Sequence, residues 1–161
     1  MTGFAYSNNG LTFRAWDQPG NLASGEVYFA APPTPTQLAS AFPGYAAAAA
    51  LFQAGNAYDQ WIGRGLTVTC TSVPAINGTY AINAGSQHTI ALEAQFISTF
   101  SEFTTGSTAD LPWQLANGQF AVFPTTALFI AFSKAAGMTV AAAKLATAQG
   151  VALPSNAVTL P

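Results

Sequence analysis

Charge is what this sequence has least of. Four Lys or Arg and six Asp or Glu among 161 residues make 6% charged, with a net charge of −2. An ordinary soluble domain carries roughly 25%. So few cations exclude a nucleic-acid partner, because phosphate binding needs clustered Lys and Arg that release counterions. A polybasic membrane anchor is excluded on the same ground. Cysteine is almost absent as well. Cys70 stands alone, so the chain has no internal disulfide and no set of partner ligands for a zinc site. Residues 1–10 lack a basic stretch followed by an apolar one, which predicts no secretory signal. The best apolar runs, 46–52 and 127–132, fall far short of the roughly 18 residues of a spanning helix. No membrane partner is therefore expected.

What is present is apolar and aromatic. Half of the residues are hydrophobic and 12% are aromatic, including twelve Phe. Disordered chains are apolar-poor and charge-rich, so a packed fold is expected. Residues 4–6, 11–16 and 26–30 read as strands. Asn8-Asn9-Gly10 makes a hairpin-type turn and residues 17–21 make the next turn. Pro32, Pro33 and Pro35 form a stiff linker, since each fixes its own φ and disfavours helix before it. Thr36 is a candidate N-cap, and Pro43-Gly44 ends that helix early.

Residues 45–61 then read as one helix with five consecutive alanines, Ala46 to Ala50. Such a face is smooth and strongly helix-favouring, and it suits close approach by another helix or subunit. Gly63-Arg64-Gly65 terminates it. Residues 66–72 and 79–83 form a second β pair, joined through Pro74 and Asn77-Gly78. Residues 87–103 return to helical spacing, with Ile90, Ala94, Ile97 and Phe100 on one stripe. A polar loop at 106–112 and a strand at 119–123 lead to the longest helical stretch, 127–149, which Gly137 interrupts. Gly150 stops it, and 152–161 is an extended tail.

The expected class is α+β: a small N-terminal β region, a Pro-rich linker and a mixed strand–helix domain ending in an Ala-rich helix. In residue terms the divisions are 1–31, 32–36 and 37–161. The linker would let residues 1–30 dock on a neighbouring molecule.

Catalytic chemistry is hard to place. A nucleophile system could draw on Ser86 or Cys70, His88 and Glu93, but no nucleophile elbow or family spacing surrounds them. The carboxylates are Asp17, Glu26, Asp59, Glu93, Glu102 and Asp110. Glu93 and Glu102 are nine residues apart, about 180° around a single helix, and would not pair. No acidic calcium loop is present. Gly63-Arg64-Gly65 precedes a strand rather than a helix, so it is not a phosphate loop. Arg14, Arg64, Lys134 and Lys144 are dispersed, with at most one ion pair each. Trp16, Trp61 and Trp113 lie near element ends, where exposed rings would make a sugar- or protein-binding surface. No catalytic, cofactor-binding or metal residue is assigned, and the chain is not expected to be an enzyme.

Residues 65–82, GLTVTCTSVPAINGTYAI, resemble a strand–turn–strand segment of phage and prophage tail-associated proteins. In that group a helix follows, then a Trp hairpin and a final Ala-rich helix. Residues 111–120, LPWQLANGQF, stand in the hairpin position, although Gln114 and Leu115 depart from the Asp the group carries nearby. Residues 123–129 are similar to the start of the group's last helix. Residues 6–13 are similar to the opening of tail-fibre and fibre-assembly proteins.

The resemblance implies a small virion component of a tailed bacteriophage, assembled in the host cytoplasm. It would act in several copies on the tail, baseplate or fibre attachment, with other virion proteins as partners. A capsid decoration or head-fibre role and a host-glycan-binding module are the alternatives. The low charge points the same way, since copies would repel each other little and a homo-oligomer could cover the Ala faces of 45–61 and 140–148.

Overall fold

The computed structural model describes residues 3–17 and 20–161. Part of the expected turn at 17–21 and the first two residues of the chain lie outside them. The element content is α+β, as expected, in two compact units, Met1–Gly55 and Asn56–Pro161.

In the first unit, β1 (Gly3–Ser7) lies between β2 (Thr12–Trp16) and β3 (Val27–Phe29), antiparallel to both. Asn8, Asn9 and Gly10 all take positive φ in the β1–β2 turn, the left-handed geometry that Asn and Gly tolerate best. Gly10 is required for a second reason. A Cβ there would come within 3.1–3.2 Å of the Tyr45, Leu38 and Phe42 side chains. The turn thus lies against the side chains of Leu38, Phe42 and Tyr45.

Tyr6 stacks on Phe13 at 5.3 Å and meets Phe29 edge-on at 5.6 Å. Arg14 forms a two-pronged ion pair with Glu26, Nε to Oε1 at 2.7 Å and Nη2 to Oε2 at 2.5 Å. Its guanidinium also lies 3.7 Å from the centre of the Trp16 ring.

The helix after the prolines, α1 (Pro35–Ala41), begins earlier than the Thr36 cap predicts. Thr34 is the N-cap, and it forms a capping box with Gln37. Pro35 falls at the first helical position, where a missing N–H costs nothing. Residues 35 and 36 of the expected linker are therefore helical. The next helix, α2 (Tyr45–Gly63), runs two residues beyond the expected end, and the division between the units falls within it, after Gly55.

In the second unit, β4 (Leu66–Cys70) pairs antiparallel with β5 (Gly78–Tyr80) and parallel with β8 (Ala157–Leu160). The expected tail thus closes the sheet as a strand. Alternation along β4 buries Leu66, Val68 and Cys70 and exposes Thr67 and Thr69. Gly65, at φ +75°, precedes it, and a Cβ there would fall 2.6 Å from the Tyr80 carbonyl. A 3₁₀ turn at Pro74–Ile76 buries Ile76, whose carbonyl accepts the Tyr80 hydroxyl at 2.6 Å. Burial pushes that phenol's pKa up to about 12.

Next comes α3 (Ala84–Phe100), capped by Asn83, then the hairpin β6 (Leu111–Gln114) and β7 (Phe120–Phe123), and then α4 (Thr126–Gln149). Gly137 does not interrupt α4. A helix interior gives up about 1 kcal/mol for a glycine, and the core contacts of Phe129, Phe132, Ala136, Val140 and Ala143 on one stripe offset it. On length and composition α4 would also suffice to cross a membrane, with 28% of its most apolar stretch buried. A count of consecutive apolar residues misses this, because Ser133, Lys134 and Thr139 break the run without making the helix polar overall. The core of this unit joins these elements through Tyr80, Phe103, Phe123, Phe129 and Phe132, all fully buried.

Two measurements check this architecture. Truncating Phe132→Ala should cost about 3–5 kcal/mol of unfolding free energy in urea titrations. The guanidinium of Arg14, and then the Ala23 N–H, hold the Glu26 carboxyl down to about 2. A depressed folded-state value means that the pair's stabilisation is complete above about pH 4.5, the ordinary value, and is lost as pH falls toward 2. Carboxyl NMR should therefore place the Glu26 midpoint near 2 and return it toward the ordinary range in Arg14→Gln.

Candidate interaction surface

The structure does not assemble the candidate nucleophile system. Cys70 is fully buried in β4, with Sγ 3.1 Å from the Pro161 carbonyl and 3.2 Å from Ser72 Oγ. Ser86 lies in the first turn of α3, where its N–H and hydroxyl both engage Asn83 Oδ1, at 3.0 and 3.3 Å. His88 is exposed. It lines a groove of about 420 Å³ between α3 and α4, whose other residues include Ile90, Ala136, Val140 and Lys144.

Glu93 has a structural role. It is 5% exposed and accepts the Thr104 N–H at 2.9 Å and the Thr104 hydroxyl at 2.6 Å, which pins the loop after α3. Glu93 shares a helical face with Ile90 and Ile97, at steps of three and four, and that spacing was the signal for its burial. Phe100, expected on this stripe, is 60% exposed and packs on Phe96 at 4.6 Å. Glu102 lies beyond the end of α3, so the expected one-helix relation to Glu93 does not apply.

Among the described residues, Arg14–Glu26 is the ion pair found, and no three His, Cys, Asp or Glu side chains cluster as a metal site would need. Arg64 Nε reaches only the Gln60 carbonyl, at 3.4 Å.

The three tryptophans differ in use. Trp61 is buried and donates Nε1–H to the Pro154 carbonyl at 2.9 Å. Trp16 lies under Arg14. Trp113 is half-buried, packs on Phe129 at 4.8 Å and lines a cleft of about 530 Å³ between the start of α3 and the β6–β7 hairpin.

The larger feature is uncovered apolar surface. Of the nineteen residues of α2 only Trp61 is buried, while Leu51 and Phe52 are 69% and 59% exposed. The single charge on this helix is Asp59. Phe13 on β2, Phe120 on β7, and Met138 and Leu145 on α4 are exposed as well. Elsewhere such residues occur singly on a surface and need no explanation. Here charge is too scarce to dilute them.

If Glu93 is a structural anchor, Glu93→Ala should remove its two charge-assisted hydrogen bonds from Thr104 and cost about 1.5–3 kcal/mol. Hydrogen exchange at the Thr104 amide should accelerate in that variant. A variant with unchanged stability and exchange would contradict this role.

No family model, curated protein or solved structure matches the chain.

Proposed function

We propose that this chain is a structural subunit of a tailed-bacteriophage particle. It acts by assembling in several copies with itself and with other virion proteins at the tail, baseplate or fibre attachment. The observation that carries the reading is the imbalance of the Met1–Gly55 unit. Among its described residues the buried apolar side chains are Ala5, Leu38 and Phe42, while Phe13, Leu51 and Phe52 are each about 60–70% exposed. A unit of this size is marginal even with a full core. Apolar side chains left in water on such a unit gain most by being covered by another molecule. The scarcity of charge removes the repulsion that would keep copies apart.

The phage assignment itself rests on the resemblance of residues 65–82 and 111–120 to tail-associated proteins. A position on the head, as a decoration or head-fibre protein, would use the same surfaces. Immunogold labelling of particles separates the two locations. The reading needs no catalytic residue.

Light scattering on the purified chain should give a mass above that of one copy. Leu51→Lys with Phe52→Lys should lower it while far-UV circular dichroism is retained. Burying two such side chains is worth about 1.5–3 kcal/mol each, so self-association should weaken roughly 100-fold or more. Mass spectrometry of purified particles should find the chain in stoichiometric amount. A chain that is monomeric at all concentrations and absent from particles overturns the proposal.

A further inference from the structure

We infer that the cleft at Trp113 is a binding site for an uncharged oligosaccharide, which the chain holds without cleaving. Its walls come from two elements of the Asn56–Pro161 unit. Trp113, Gln114 and Leu115 of the hairpin form one side, and Asn83, Ser86 and Thr89 at the start of α3 form the other. At about 530 Å³ it falls within the roughly 300–1,000 Å³ of small-molecule sites.

The chemistry of the lining selects the ligand class. No charged side chain lines the cleft, so neither an anion nor a cation finds a counter-charge there. What it offers is one large aromatic side chain together with amide and hydroxyl groups. An aromatic face packs against the C–H side of a sugar ring, and amides and hydroxyls exchange hydrogen bonds with its hydroxyls.

Three groups in the cleft are free to do so. Trp113 Nε1–H has no hydrogen-bond partner among the described residues, unlike that of Trp61. No buried side-chain nitrogen or oxygen is unpaired among the described residues, so this N–H is open to solvent. Asn83 spends its oxygen on the α3 cap, accepting from Ser86, which leaves its NH₂ donors available. Gln114 is exposed and makes no side-chain hydrogen bond among the described residues.

Both walls are fixed before any ligand arrives, which lowers the ordering cost of binding. The Trp113 ring is backed by Phe129 at 4.8 Å. The hairpin is tied to the sheet edge by the Ala116 N–H, which donates to the Thr79 carbonyl at 2.8 Å. The facing wall is the capped first turn of α3. Hydrolysis would need two carboxylates across the sugar, and none lines the cleft. The site therefore holds its ligand intact, and it would do so whether or not the chain assembles.

The test titrates the full chain, followed by NMR of the Trp113 indole and the Asn83 and Gln114 amides. The probes are three uncharged series (malto-, cello- and chito-oligosaccharides) and one charged series, oligogalacturonate. At least one uncharged series should give saturable shifts at these three residues, with no new reducing ends over days. Trp113→Ala should weaken that binding at least tenfold. Because that ring also supports the core, Asn83→Asp provides the second arm. It keeps an N-cap but removes the NH₂ donors, and it should weaken binding severalfold with α3 intact. His88→Ala, in the neighbouring groove, should change nothing. The inference is overturned if no uncharged series shifts the three residues, if the charged series binds in preference, or if Asn83→Asp binds as the parent does.

Discussion

The packing of aromatic rings around Phe129 is the interaction on which the rest of the Asn56–Pro161 unit depends. Phe129 is fully buried and meets Phe123 at 5.1 Å, Phe132 at 5.6 Å, Phe103 at 6.2 Å and Trp113 at 4.8 Å. Tyr80 joins through Phe132 at 4.7 Å. These rings come from β5, the loop after α3, both strands of the hairpin, and α4. One cluster therefore decides where every one of those elements can sit. Tilted and edge-on pairs of this kind each add about 0.5–1.5 kcal/mol beyond the burial of their area. The same cluster supports Trp113 from behind, which links the stability of the core to the shape of the cleft.

The two units use apolar residues in opposite ways. In Asn56–Pro161 they converge on a core that extends from Trp61 to Leu160. In Met1–Gly55 few of the described ones are buried, and Leu51, Phe13 and Phe52 are about 60–70% exposed. Ordinary soluble chains dilute such surface with Lys and Glu. This chain has ten charges in all, and Arg14 and Glu26 are already committed to each other. The lack of charge and the uncovered helix are two sides of one property, a surface suited to being covered.

Much of the local structure was legible because local rules decide it. Asn8-Asn9-Gly10 reads as a turn since few other residues accept three successive positive φ values. The alternation of Leu66, Val68 and Cys70 reads as a half-buried strand and is one. The features that escaped depend on distant partners or on competing terms. Residues 157–160 become a strand only because β4 leaves an edge open for parallel pairing. Gly137 stays helical because the core stripe outweighs its propensity. The Thr34–Gln37 capping box was readable from its spacing, but the prolines around it suggested a linker first. At the candidate site, Trp113 was legible as an aromatic of interest, whereas the facing wall on α3 was not. Nothing in the local pattern brings residues 83–89 opposite residues 113–115; the packing of α3 and the hairpin on one core does.

The most direct test of the central claim compares amide hydrogen exchange across residues 45–60 in the isolated, dilute chain and in the intact particle. No residue of α2 from 45 to 60 is buried within its own chain, so these amides should exchange quickly when the chain is alone. In the particle they should be strongly protected, because another molecule covers Leu51 and Phe52. Equal exchange in the two states, with the chain present in the particle, would contradict the account.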